Sequence, residues 1–237
     1  QTEDDKQDSY PVKIALSVEG YFKKITMQSL RGNDELKFKE GDSLRFEEDS
    51  DNSKEVIFFS DKSQCYKAPL SLFDNSKASA LGDYVPAKLG FDAGEKCIFM
   101  KSLDKYDPEH NIILIFENGK AVRIPVSSYE TKAQRKKLTG AYSSASAVVA
   151  IFYEESQNTD IVIVSDAKTA IMINSSLIPI KTTRSSQGVA VFSLKKGFKV
   201  SAAYLKSNCP YMEPGNYKRI KIPASGIKIA EHDIKKQ

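Results

Sequence analysis

The chain has 237 residues and no tryptophan, only two histidines and only three cysteines. Each shortage removes a class of function. Two histidines, His110 and His232, leave no His-Glu-x-x-His zinc signature, and His110 reads as a loop residue ahead of a strand. Cys65, Cys97 and Cys209 are an odd, scattered set without C-x-x-C spacing. They read as buried or surface thiols of a cytosolic protein, and their spacing argues against a disulfide or a zinc site. No apolar run approaches the roughly 20 residues that span a bilayer, so no membrane partner is expected. The chain starts at Gln1 without the charged and apolar regions of a signal peptide, and is read as a segment cut from a longer polypeptide. A glycine-rich phosphate loop followed by Lys-Ser/Thr is missing, as is Gly-x-Ser-x-Gly. The acidic run Glu47-Glu48-Asp49-Ser50-Asp51 lacks the spacing and glycine of an EF-hand loop and reads as solvated loop. The eleven tyrosines sit largely in strand or hairpin-end contexts, and none stands out as a nucleophile. No cofactor, metal or catalytic set is therefore expected.

What the chain does have is a repeat. Asn111 to Tyr129 reads NIILIFENGKAVRIPVSSY. An apolar run from Ile112 to Phe116 enters Asn118-Gly119, and Val122, Ile124 and Val126 then alternate. Asn-Gly between two such runs is a strong hairpin signal, and points to a type I′ turn with positive φ at both central residues. Sliding the sequence over itself finds three relatives, beginning near Ile14, Ile57 and Ile161. In one register Leu16, Phe59, Ile115 and Val164 coincide, as do Ile25, Ala68, Ile124 and Ile173. Leu30, Phe73, Tyr129 and Ile178 close the four hairpins. The offsets are 43, 56 and 49 residues, the period of an architecture built from one supersecondary unit. One further column holds Lys24, Lys67, Arg123 and Met172, so three of four copies place a cation there.

Along the chain, residues 1–9 form a polar, acidic tail or linker, and 10–237 form one domain. The first unit runs over about 10–49. There Asp34 to Phe46 (DELKFKEGDSLRF) reads as a second hairpin, which makes four strands per unit, and Glu48 to Lys54 reads as a loop. The other units cover about 55–107, 109–157 and 158–208, with Tyr84 to Asp92 the largest insertion. Residues 211–230 read as a partial fifth unit or a closing strand pair. Four strands at this period is the arithmetic of a propeller blade, and radial repetition protects strand edges that an open stack would expose. The fold class is therefore all-β, propeller-like, with four clear four-stranded blades. Without tryptophan, the Gly-His and Trp-Asp signatures of WD40-type blades are excluded.

Charge is uneven. Residues 1–55 carry 9 Lys/Arg against 14 Asp/Glu, and residues 56–237 carry 26 against 17. A basic face on a repeat scaffold is the electrostatic footprint of nucleic acid. A lysine-rich solvated surface is the competing reading.

Several short motifs carry a resemblance. Glu19-Gly-Tyr-Phe-Lys-Lys-Ile25, Lys39-Glu-Gly-Asp42, Val122-Arg-Ile-Pro125 and Thr183-Arg-Ser-Ser-Gln-Gly-Val189 occur in the order found in one family. Over about Pro11 to Ser207 the chain resembles the C-terminal domain of the bacterial type II topoisomerase A subunit, that of DNA gyrase or topoisomerase IV. The resemblance implies a β-pinwheel whose basic rim binds and bends double-stranded DNA. It also implies a cytoplasmic, nucleoid-associated parent enzyme that hydrolyses ATP. The catalytic tyrosine of that parent would lie outside this chain, and its partner would be the topoisomerase B subunit.

Gln134-Arg135-Lys136-Lys137-Leu138-Thr139-Gly140 resembles the seven-residue box of gyrase A subunits. It departs from that box at Lys137 and Leu138, where the family has glycines, and it lies in the third unit where the first is expected. The departure tilts the reading toward a topoisomerase IV-like subunit, or a gyrase A with a degenerate box, and a basic loop without special role is the alternative. Candidate phosphate contacts are Arg135, Lys136, Lys137, Lys181 and Arg184, since Arg binds phosphate through a planar fork and Lys as a point charge. Lys23, Lys24, Lys67 and Arg123 form a second rank, because their positions equally fit solvent-facing strand residues. Arg31 and Lys195-Lys196 are weaker candidates. A second function class, a protein-interaction propeller that does not bind nucleic acid, remains open at this stage.

Overall fold

The structure is a computed structural model and describes residues 8–131, 136–155 and 158–237. In chain order the strands are β1 (Pro11–Ser17), β2 (Tyr21–Thr26), β3 (Leu44–Asp51), β4 (Glu55–Ser60), β5 (Cys65–Pro69), β6 (Asp83–Tyr84), β7 (Cys97–Leu103), β8 (Asn111–Phe116) and β9 (Lys120–Pro125). They continue as β10 (Lys137–Leu138), β11 (Val148–Glu154), β12 (Asp160–Ser165), β13 (Thr169–Asn174), β14 (Val189–Ala190), β15 (Phe192–Ser193), β16 (Val200–Leu205), β17 (Ala224–Ser225) and β18 (Ile227–Lys228). Two short helices, α1 (Met27–Gly32) and α2 (Val85–Leu89), interrupt the strands.

The chain divides into two compact units. Unit 1 comprises residues 1–105 and 131–141, and unit 2 comprises 106–130 and 142–237. Unit 1 holds two four-stranded antiparallel sheets, ordered β3-β1-β2-β6 and β10-β5-β4-β7. Unit 2 holds two more, β11-β8-β9-β14 and β16-β12-β13-β18, with a parallel pair β15-β17. These are the four expected blades, and the fold is all-β.

The hairpin at the centre of each sheet forms where the repeat placed it, in register Ile14↔Lys24, Ile57↔Lys67, Ile113↔Arg123 and Val162↔Met172. The turn chemistry differs from the expected type I′. Only Gly119 has positive φ, at 83°, and Gly119 N–H donates to the Phe116 carbonyl at 3.1 Å. The loop is thus three residues, Glu117 to Gly119, ending in a left-handed residue, the next commonest hairpin connection. Gly20 (98°), Ser63 (57°) and Lys168 (58°) fill the same place in the other hairpins.

The fourth strand of each sheet comes from the next repeat. β6 lies between β5 and β7, β10 between β9 and β11, β14 between β13 and β16, and β18 follows β16. This corrects the second hairpin expected within Asp34 to Phe46. Residues 33–39 join no ladder, because β6 already occupies the free edge of β2. Lys37 N–H instead donates to the Ala78 carbonyl. The loop expected from Glu48 is also corrected, since β3 continues to Asp51 along β1 and Glu48 is held by Lys101 at 2.8 Å. At the far end, 227–228 completes the fourth sheet, and no fifth four-stranded sheet occurs among the described residues.

Exchange of the fourth strand demands a close approach. A Cβ on Gly188, just ahead of β14, would stand 1.9 Å from the Ala121 carbonyl oxygen, and one on Gly82, ahead of β6, 2.3 Å from that of Phe22. Side chains of the central strands fill the core on both faces, and β8 is buried at all six positions. The aligned columns Leu16, Phe59, Ile115 and Val164, and Ile25, Ala68, Ile124 and Ile173, are all buried. Burying a Val, Leu, Ile or Phe side chain is worth about 1.5–3 kcal/mol, so these columns dominate stability. In unit 1, Phe22 packs on Phe58 and Phe73 with ring centroids 5.6 and 4.4 Å apart. The closing residues Phe73, Tyr129 and Ile178 are buried, whereas Leu30 stays half-buried on α1. All three cysteines are buried thiols, and burial pushes Cys97 up to about 12.

Candidate nucleic-acid interface

The cation column of the repeat lies inside the protein. Lys23, Lys24, Lys67 and Arg123 are each at most 5 % exposed, which removes them as phosphate contacts and equally as solvent-facing strand positions. Both faces of the central hairpins are covered at this column, so period-two alternation does not place these side chains in water. Each buried charge has partners, as the cost of an isolated buried ion requires. Lys23 Nζ donates to the carbonyls of Lys37 (2.5 Å) and Ala78 (2.7 Å) and lies 4.9 Å from the Phe38 ring centre. Lys24 Nζ donates to Asn52 Oδ1 (2.7 Å) and the Leu70 carbonyl (3.0 Å). Burial lowers the pKa of both ammonium groups, with Asp74 opposing the shift at Lys24. Lys67 Nζ reaches Thr131 Oγ1 at 3.4 Å. Arg123 pairs with Glu154, Nε at 2.9 Å and Nη2 at 2.7 Å from Oε1, and Asn111 Nδ2 donates to the same oxygen at 3.0 Å. These four cations tie outer strands and connections to the hairpins; they are structural.

Lys137 and Leu138 of the seven-residue box form β10, the fourth strand of the second sheet. Gln134 and Arg135 lie outside the described residues. Lys67 N–H donates to the Lys136 carbonyl at 2.8 Å, Lys137 pairs with Tyr66, Leu138 with Cys65, and Ala141 N–H closes on the Ser63 carbonyl. Leu138 is buried, Lys136, Thr139 and Gly140 are exposed, and Lys137 is half-buried. Lys137 Nζ sits 3.4 Å from Asp92 Oδ1 and 5.7 Å from the Tyr66 ring centre. Hydrogen bonds from Gln64 and Lys137 hold the Asp92 carboxyl below its usual range. Leu138 thus serves packing, and Lys136 is the cation of the described box that projects without such a neighbour.

In unit 2, Lys181 is exposed at the start of the connection that ends in β14, and its N–H donates to the Arg123 carbonyl at 2.9 Å. Arg184 is half-buried, with Nη1 donating to the Ser128 carbonyl at 2.9 Å. Lys195 and Lys196 are exposed in the loop before β16, and Arg31 is exposed at the end of α1.

Residues 217–221, expected only as part of a partial fifth unit or closing strand pair, form a distinct element. Lys218 forms a parallel bridge with Met172, and Arg219 N–H donates to the Met172 carbonyl at 2.8 Å. Ile180 and Lys181 stand in that same relation to Arg123. Segments 179–181 and 217–221 are therefore the same strap in successive sheets. The available signal was charge: residues 181–237 hold 12 Lys/Arg against 3 Asp/Glu. Chemically, exposed lysines on pinned straps can neutralise a polyanion, and no group of three or more His, Cys, Asp or Glu that could hold a metal occurs among the described residues.

Four-stranded antiparallel blades that exchange their last strand define a β-pinwheel-type, all-β fold. Among solved structures, the chain is similar to the C-terminal domain of DNA topoisomerase IV, with a TM-score of 0.73 at 20% identity. The match covers 86% of this chain and 64% of that one, so the chain spans just under two thirds of that structure's length. It is also similar to the E. coli ParC C-terminal domain (TM-score 0.61, 15% identity, 83% of this chain and 79% of that one). The DNA gyrase A C-terminal domain matches with a TM-score of 0.53 at 15% identity, over 85% of this chain and 67% of that one. At these identities the likeness establishes the fold. No protein-family model matches the chain, and no curated protein matches it in sequence.

Proposed function

We propose that the chain is a non-catalytic module that binds and bends duplex DNA within a type II topoisomerase A subunit. The observation that carries this reading is the fold shared with the topoisomerase IV and gyrase A C-terminal domains over 86% and 85% of the chain. Exposed Lys136 and Lys181 and half-buried Arg184 support it as phosphate contacts, and half-buried Lys137 on β10, whose ammonium faces Asp92, would join them. Arg135 belongs to the same proposal through its place in the box. Such contacts position a duplex without reading its sequence. Bending is favourable where the added contacts outweigh deformation. On this reading the parent enzyme works in the cytoplasm with a B subunit, and presents DNA for strand passage.

The test is fluorescence anisotropy on a linear duplex at two salt concentrations. Neutralising about five phosphates gives a log–log salt slope near −4.5, roughly a 500-fold loss of affinity between about 50 and 200 mM salt. Charge reversal at Lys136 and Lys181 is expected to weaken binding at every sequence alike. Binding that ignores salt, or no binding at all, overturns the proposal.

A further inference from the structure

The strap at 217–221 combines two features that nothing in the fold requires. Ile220 is 74% exposed, the highest value among the large apolar side chains described, and its neighbours are Lys218, Arg219 and Lys221. An exposed isoleucine alone is ordinary. This one sits on a loop anchored at both ends. Lys218 N–H donates to the Gly215 carbonyl (3.2 Å) and Arg219 N–H to Met172. The Arg219 guanidinium closes the loop, Nε and Nη2 donating to the Ser225 carbonyl at 3.2 and 3.0 Å. Ala224 N–H donates to Val191 at 2.9 Å, and Ile222 packs against the unit 2 core. Ile220 is thus presented to solvent by a preorganised loop, with exposed lysines at 218 and 221 on either side.

We infer that this strap is a second DNA-contacting element, in which Lys218 and Lys221 hold phosphates and Ile220 enters the base stack as an apolar wedge. The inference rests on the DNA-binding reading above. Apolar wedges between cations are the chemistry by which architectural proteins unstack a base step and kink a duplex. The charge around Ile220 selects a polyanion as its partner. In the equivalent strap of the same unit the exposed apolar residue stands two places earlier, since Ile180, 45% exposed beside Lys181, bridges Arg123 as Lys218 bridges Met172. In the first sheet of unit 1 the strap bridging to Lys24 reads Asn75-Ser76-Lys77 and carries no apolar residue.

The experiment uses the whole chain, a duplex of about 40 base pairs with end-to-end energy-transfer labels, and a 2-aminopurine reporter of unstacking. Wild type is expected to shorten the end-to-end distance and raise 2-aminopurine emission. Ile220→Ala, at a site exposed enough to leave thermal unfolding unchanged, is expected to keep the salt slope, lose the emission rise and bind about 5- to 20-fold more weakly. Lys218→Gln/Lys221→Gln is expected to flatten the salt slope by about 2, at about 0.9 per contact. If wild type binds with a steep salt slope but Ile220→Ala bends and unstacks equally well, the wedge alone is overturned. If wild type does not bind duplex, the DNA reading falls with it.

Discussion

Replacing Arg123 by methionine separates a structural cation from a phosphate contact. Its side chain is 5% exposed and that of Glu154 1% exposed, and the two meet at 2.7 Å. Removing one partner of such a pair leaves a buried charge uncompensated, at a cost of about 3–5 kcal/mol. Glu154 would retain Asn111 Nδ2 at 3.0 Å as a donor, which places the expectation toward the lower end. At about 2–4 °C per kcal/mol for a chain of this size, a cost of about 3 kcal/mol means that Arg123→Met should lower the melting temperature by roughly 6–12 °C. The double variant Arg123→Met/Glu154→Gln removes both charges and keeps an acceptor for Asn111. It should recover most of the loss, since buried ion pairs are often replaceable at little net cost. The fourth sheet already carries Met172 in the same column, buried at 4%. With no tryptophan to report, far-UV circular dichroism and tyrosine emission under urea are the assays. Arg123→Met with stability within about 1 kcal/mol of wild type and weakened DNA binding would refute the structural role. A double variant no better than the single one would refute the ion-pair account.

Two further outcomes follow from the geometry. Ser63→Gly and Lys168→Gly relieve left-handed backbone at φ 57° and 58°, where an L-residue costs about 1–2 kcal/mol; each should raise the urea midpoint, and a lowered midpoint would show that the side chain does more than tolerate the turn. Stability should also fall in acid through Glu154: burial works to raise its pKa, but hydrogen bonding with Ser175, Arg123 and Asn111 outweighs this and holds it below the usual value. A depressed folded pKa contributes stability that is complete above the unfolded carboxylate value near 4.3 and is lost as pH falls through the folded value; urea titration of Glu154→Gln between about pH 3 and 7 should show a flatter profile than wild type.

Much of the architecture was legible because each repeat must bury the same stripe. Leu16, Phe59, Ile115 and Val164 fall in one column since each fills the same position of a central strand. The closing residues show the limit of that logic: Phe73, Tyr129 and Ile178 are buried while Leu30 is not. A sequence column records the local position of a residue, and burial depends on what lies across from it. Strand exchange was invisible for the same reason. β6, β10, β14 and β18 are two-residue strands with no period of their own. Gly82 and Gly188 marked their approach only once the carbonyls of Phe22 and Ala121 were seen opposite them.

The sequence by itself determined four hairpins, their registers and the all-β class, because these follow from local periodicity. Tertiary structure decided which cations face water. Lys24, Lys67 and Arg123 share a column with Met172 because coverage of both sheet faces makes that column interior, where charge is tolerated only with partners such as Asn52 and Glu154. Exposed Lys181 and Lys218 sit instead on straps whose positions come from hydrogen bonds between residues about 50 apart, a separation that no local pattern encodes.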